Sequence, residues 1–162
     1  MISINNYQLV KSNDGYFYVR SYEIIACPIC GSIIVIIGTR KRNIIDGDGE
    51  KQTLVIRRLR CKECRVIHHE LPDIIVPYKR HCSETIEKIV TDNIAGVNCE
   101  NSTIRRIRAW WAACLLYFKS VLSSLREKYG TEFSRNPAPK EIVRAVTNAN
   151  LWVHTRSEYL TG

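Results

Sequence analysis

Cys27-Pro28-Ile29-Cys30-Gly31 and Cys61-Lys62-Glu63-Cys64 decide how this chain is read. Each is a C-x-x-C pair, and the two stand about one hairpin apart. Four thiolates arranged this way suit a tetrahedral ion such as Zn2+, which is soft enough for sulfur and imposes no competing geometry. Two redox pairs would be the alternative, but redox C-x-x-C motifs come singly and beside a βαβ pattern, which is absent. The expectation is one structural zinc ion held by Cys27, Cys30, Cys61 and Cys64. Four protein ligands close the coordination sphere, so no catalytic position is left at the metal.

Working outward, Ile33–Ile37 is a β-branched run and 53–60 (Thr-Leu-Val-Ile-Arg-Arg-Leu-Arg) is a second strand. They can pair antiparallel around the loop 43–50, and 65–70 supplies a third strand. This is the layout of a zinc ribbon over residues 26–71. The acidic loop residues Asp46, Asp48 and Glu50 lack a calcium-loop register and read as a solvated hairpin tip. Upstream, Tyr7–Val10 and Tyr16–Arg20 flank the turn signal Asn13-Asp14-Gly15, which predicts a hairpin packed on the ribbon.

Downstream, residues 72–82 hold two prolines and no periodicity, and read as an extended linker. Ser83 can cap a helix with Ile86, Ile89 and Val90 on one face. Asn101-Ser102-Thr103 offers caps for a longer helix. Its apolar stripe is Ile104, Ile107, Trp111, Leu115, Phe118, Leu122 and Leu125, and Gly130 ends it. A last helix starts near Pro139 and turns Ile142, Val143 and Val146 inward, with Trp152 and Tyr159 packing on the helical core. The fold class expected is α+β: an N-terminal β part with a four-cysteine zinc ribbon (1–76) and a C-terminal helical, helix-turn-helix-like part (77–162).

Composition narrows the class. Of 162 residues, 45% are apolar and 25% charged, so the chain is globular rather than disordered. No uncharged apolar run approaches the roughly 18 residues a membrane span needs, and the first residues lack the basic-then-apolar pattern of a signal peptide. A cytoplasmic location follows as an expectation. There, seven cysteines mean metal ligands and free thiols rather than disulfides. Cys82, Cys99 and Cys114 read as buried thiols. His68, His69 and His81 are not needed as ligands once four cysteines are placed, and a second metal on His81, Cys82 and Cys99 lacks a recognisable spacing.

The formal net charge of +8 favours a polyanionic partner, most often nucleic acid. Two stretches concentrate the charge. The ribbon carries Arg57, Arg58, Arg60 and Lys62, with Lys79 and Arg80 following in the linker. These are candidate phosphate contacts, against the plainer reading of a solvated edge. Ser102, Thr103, Arg105, Arg106 and Arg108 open the long helix as a recognition helix does, with short polar and Arg side chains at the end that enters the major groove. The plainer reading there is an amphipathic core helix with a solvated basic side.

Cys27-Pro28-Ile29-Cys30-Gly31, Arg57 to Cys64, His68-His69-Glu70-Leu71-Pro72-Asp73 and Val76 to Arg80 together resemble an uncharacterised bacterial family of zinc-ribbon proteins, common in Firmicutes. Thr103 to Arg108 and Leu151 to Ser157 resemble later parts of the same family. The knuckle pattern is also distantly similar to the zinc-binding, helix-turn-helix amino-terminal regions of insertion-sequence transposases. The resemblance implies a DNA-binding protein tied to mobile elements and brings no established activity. A transposase catalytic domain needs far more chain than follows residue 130.

The function expected is therefore zinc-ribbon DNA binding, as a transcriptional regulator or mobile-element accessory protein, and not an enzyme. A protein-interaction adaptor using the ribbon as a docking scaffold is the alternative. A homodimer is the common form of such DNA binders, though no stretch identifies its interface.

Overall fold

The hairpin between the two knuckles is longer than the expected strands and is the spine of the structure. In the computed structural model, which describes residues 1–153, the strands are β1 (Ile2–Ile4), β2 (Tyr7–Lys11), β3 (Phe17–Ser21), β4 (Ile34–Ile45), β5 (Lys51–Cys61) and β6 (Ile67–Pro72). The helices are α1 (Ser83–Val90), α2 (Asn101–Tyr129) and α3 (Pro139–Asn148). The chain is α+β, with a sheet first and a helical part after it.

β4 pairs antiparallel along the length of β5. The other edge of β5 is shared: β6 pairs antiparallel at Arg58–Arg60 and β3 pairs parallel at Leu54 and Val55. β1 joins β6 in parallel, and β2 closes the expected hairpin with β3. The polar interval Thr39–Asn43 does not break β4, because the backbone pairing with β5 runs through it. At Ile37 the register slips: Ile36 faces Leu59, but Gly38 faces Arg58. This bulge sets β4 residues of one parity on the Leu59 side before it and on the Arg58 side after it.

Two buried apolar clusters form. One joins Ile4, Leu54, Ile56, Leu59 and Ile75 in the sheet; the other joins Ile89, Trp111, Phe118, Val146 and Trp152 among the helices. The segment 72–82 is not the free linker expected. Ile75 enters the sheet cluster and Val76 the helical one, each 1% exposed. Neighbours in extended chain point to opposite sides, so this one stretch belongs to both cores. It is also hydrogen-bonded to the end of β4, from Ile45 N–H to the Arg80 carbonyl (2.7 Å) and from Cys82 N–H to the Ile45 carbonyl (2.8 Å).

The helices follow their capping signals within a residue. α1 begins at Ser83 itself, with Cys82 at the cap position, and α2 begins at Asn101 with Glu100 there. Gly130, in the left-handed conformation (φ 64°), ends α2 as expected, and Pro139 opens α3. Residues 91–100 separate α1 from α2, which is not the three-to-four-residue turn of a helix-turn-helix. Asn98 of that segment instead donates to the Asp48 carbonyl (2.8 Å), docking the tip of the β4–β5 hairpin. Tyr159 lies outside the described residues. Among the described residues no helix is long and apolar enough to cross a membrane.

Candidate metal centre and basic surfaces

The two knuckles are built alike. In the first, Cys27 N–H donates to the Ser32 carbonyl (2.9 Å); in the second, Cys61 N–H donates to the Val66 carbonyl (3.0 Å). The residue after each second cysteine is left-handed: Gly31 at φ 73° and Arg65 at φ 61°. That turn aims the Ser32 N–H at the Cys30 sulfur and the Val66 N–H at the Cys64 sulfur. The Ile33 carbonyl accepts from Lys62 N–H (3.0 Å) and ties one knuckle to the other.

The sulfurs of Cys27, Cys30, Cys61 and Cys64 all lie within 4.8 Å of one another. The Cys27–Cys64 and Cys30–Cys61 sulfurs are 3.6 and 3.4 Å apart, far beyond the roughly 2.05 Å of a disulfide. A sulfur tetrahedron with metal–sulfur bonds of about 2.3 Å has edges of about 3.8 Å. The cluster fits one tetrahedral metal ion, and an all-thiolate closed shell makes that ion structural. Proton chemistry agrees. The Ser32 N–H, with the neighbouring sulfurs, holds the Cys30 thiol down at about 6. The Val66 N–H pulls Cys64 the same way, yet burial and the neighbouring sulfurs push it up to about 12. Four thiolates this close need a cation to shed their last protons.

Among the described residues this is the one group of three or more His, Cys, Asp or Glu side chains placed to share an ion. His68 is fully buried beside it, its Nε2 3.5 Å from the Cys27 sulfur, and its Nδ1 has no partner. Sequence reading sets His68 aside as a ligand and has no signal for this packing role. His81 and Cys99 are adjacent (Nδ1 to sulfur 3.4 Å), but Cys82 turns instead to the Thr85 hydroxyl (3.2 Å), so the three do not gather.

The ribbon's basic residues divide. Arg57 is committed to the sheet: its Nε and Nη2 donate to the two oxygens of Glu70 at 2.6 and 2.5 Å, and Glu70 is fully buried. Arg58 turns the other way, beside His69. Burial first, then the charges of Arg40, Arg58, the amino terminus and Arg42, push the His69 imidazole below its usual value. Arg60 and Lys62 are exposed. Lys79 lies with its ammonium 3.9 Å from the centre of the Trp110 ring, while Arg80 is exposed. Arg40 and Arg42 are not singled out by the sequence; they lie between the run Ile33–Ile37 and the loop read at 43–50.

At the start of α2, Arg105, Arg106 and Arg108 are all exposed. Two of them already have partners. Arg108 pairs with Asp92 and donates to the Ile89 carbonyl (3.3 Å), and Arg106 donates to the Thr103 hydroxyl (3.1 Å). Ser102 donates to Glu100 (3.2 Å).

No curated protein and no solved structure matches the chain. One family does match, over residues 27–107, a span that opens on the first knuckle and ends in the first turns of α2. On that match, and with the four cysteines gathered as a metal centre, the chain belongs to the family described as Domain of unknown function (DUF6431).

Proposed function

We propose that this chain is a zinc-ribbon DNA-binding protein of the cytoplasm, acting as a transcriptional regulator or mobile-element accessory protein without catalysis of its own. The observation that carries the reading is the register that sets Arg40, Arg42 and Arg58 on one face of the β4–β5 hairpin, with His69 opposite Arg58, on a protein of net charge +8. No ion pair among the described residues neutralises these three guanidinium groups. Unpaired cations on a rigid sheet are what a phosphate backbone meets at least cost. Zinc is the ion assigned because all four donors are thiolates in a tetrahedral set. The mobile-element part rests on the resemblance to transposase amino-terminal regions.

The test is binding of the metal-loaded protein to random-sequence duplex across a salt series. Affinity falls steeply with salt through counterion release if the reading is right; absence of binding at low salt removes it. Within DNA binding, Arg105→Ala should relax base preference, whereas Arg58→Ala should weaken all sequences alike. Should both merely lower affinity, α2 is not the reader.

A protein-interaction adaptor is favoured by a different observation. Ile24, Ile29, Ile33 and Ile36, near the knuckles, are all exposed large apolar side chains. Such patches mark interaction sites, and a salt-insensitive complex with a protein partner would favour that reading.

A further inference from the structure

A cleft of about 620 Å³ opens where the far end of the β4–β5 hairpin meets residues 78–80. Its cations are Lys41, Arg42, Lys51, Lys79 and Arg80, and none of its lining residues is acidic. Two of the five are occupied by rings: Lys41 lies 3.8 Å from the centre of Tyr16, and Lys79 lies 3.9 Å from that of Trp110. Arg42, Lys51 and Arg80 have no ion-pair partner among the described residues. Their walls are fixed to each other, because Ile45 N–H and the Arg80 carbonyl are bonded at 2.7 Å and Cys82 N–H reaches back to the Ile45 carbonyl at 2.8 Å. The backbone that carries the three charges is thus fixed before any ligand arrives.

We infer that this cleft grips the phosphate backbone of DNA, with Arg42, Lys51 and Arg80 as the contacting cations. The inference rests on the DNA-binding reading and adds phosphate contacts at the far end of the β4–β5 hairpin. At the start of α2, by contrast, Arg106 and Arg108 already bond Thr103 and Asp92. The cleft has room for a stretch of one strand's sugar–phosphate ridge and not for a base-paired helix. Bases stay outside it, so it positions DNA without reading sequence.

The experiment is fluorescence anisotropy of full-length, metal-loaded protein with a short random-sequence duplex over a range of NaCl. Arg42→Ala, Lys51→Ala and Arg80→Ala are each expected to flatten the slope of log K against log salt by about 0.9, and the triple variant by about 2.7. Arg126→Ala, in the last turn of α2, serves as the unaffected control. Arg42 is half-buried, so Arg42→Gln keeps its stem packed if the alanine variant folds poorly. If wild type binds with a steep slope and the triple variant keeps that slope, the cleft is overturned while DNA binding stands. If wild type does not bind at low salt, the DNA reading itself fails and takes the cleft with it.

Discussion

Arg65 holds the second knuckle in a conformation that glycine supplies in the first. A side chain in the left-handed region costs about 1–2 kcal/mol, and Arg65 sits there at φ 61°. Gly31→Ala should therefore destabilise the metal-loaded protein by about 1 kcal/mol. Arg65→Gly should stabilise it by a smaller amount, because glycine also loosens the unfolded chain. Urea melts of the two variants check the opposite signs. Sequence showed the glycine and hid its counterpart, since nothing in an arginine marks a positive φ. The Arg57–Glu70 pair was equally hidden. Arg57 reads as one of a basic run until the fold buries Glu70 against it. Arg57→Ala should cost about 3 kcal/mol by stranding that carboxylate, seen as a lowered urea midpoint. The double variant Arg57→Met, Glu70→Leu should recover much of the loss.

At the scale of elements, α2 shows what periodicity can and cannot fix. The sequence places Ile104, Ile107, Trp111, Phe118 and Leu122 inward, and they are buried, as is the thiol expected at Cys114; but Cys114 and Val121, not Leu115 and Leu125, continue the buried stripe, and those two leucines are only partly covered. The seam 104, 107, 111, 114, 118, 121 alternates steps of three and four, whereas the extrapolated stripe took a second four after Trp111. A strict heptad seam is what packing against neighbouring helices selects over 29 residues. Phe118, fully buried at its centre, should cost about 3–5 kcal/mol on truncation to Ala, measured by thermal or urea unfolding. The join between helices and sheet left no pattern to find. Asn148 of α3 accepts from Ser3 N–H (2.6 Å) and donates to the Ser3 carbonyl (3.1 Å), pairing with β1 as another strand would. Asn148→Ala leaves both groups of a buried residue unpaired and should cost about 1–3 kcal/mol.

For the molecule as a whole, acid is the predictable stress. Burial first, helped by Arg40, Arg58, the amino terminus and Arg42 at His69 and by Arg106 at His81, lowers both imidazoles below the ordinary value. The unfolded chain then binds protons that the folded chain refuses. The contribution of these two histidines is flat above about pH 6.5 and is lost as pH drops from there towards the lowered folded values. His69→Gln, His81→Gln should shallow that decline in thermal melts between neutral pH and about pH 5. The metal adds its own loss, as protons compete for four thiolates, and chelation should lower the melting temperature at neutral pH too. The knuckles, the hairpin and three helices were legible because each is written in local spacing. The double-sided packing of Ile75 and Val76 was not, because two cores must exist before one segment can serve both.

The bulge at Ile37 gives β4 one residue more than its partner strand requires. Beyond it, Arg40 and Arg42 share the side of Arg58, and Ile44 enters the sheet cluster. Removing Ile37 alone leaves the pairing on both sides in place, because Ile36 and Gly38 already face the consecutive residues Leu59 and Arg58. Ile37 is thus a spare link in the hairpin: its loss straightens the strand and should leave both the metal knuckles and the charged face where they are.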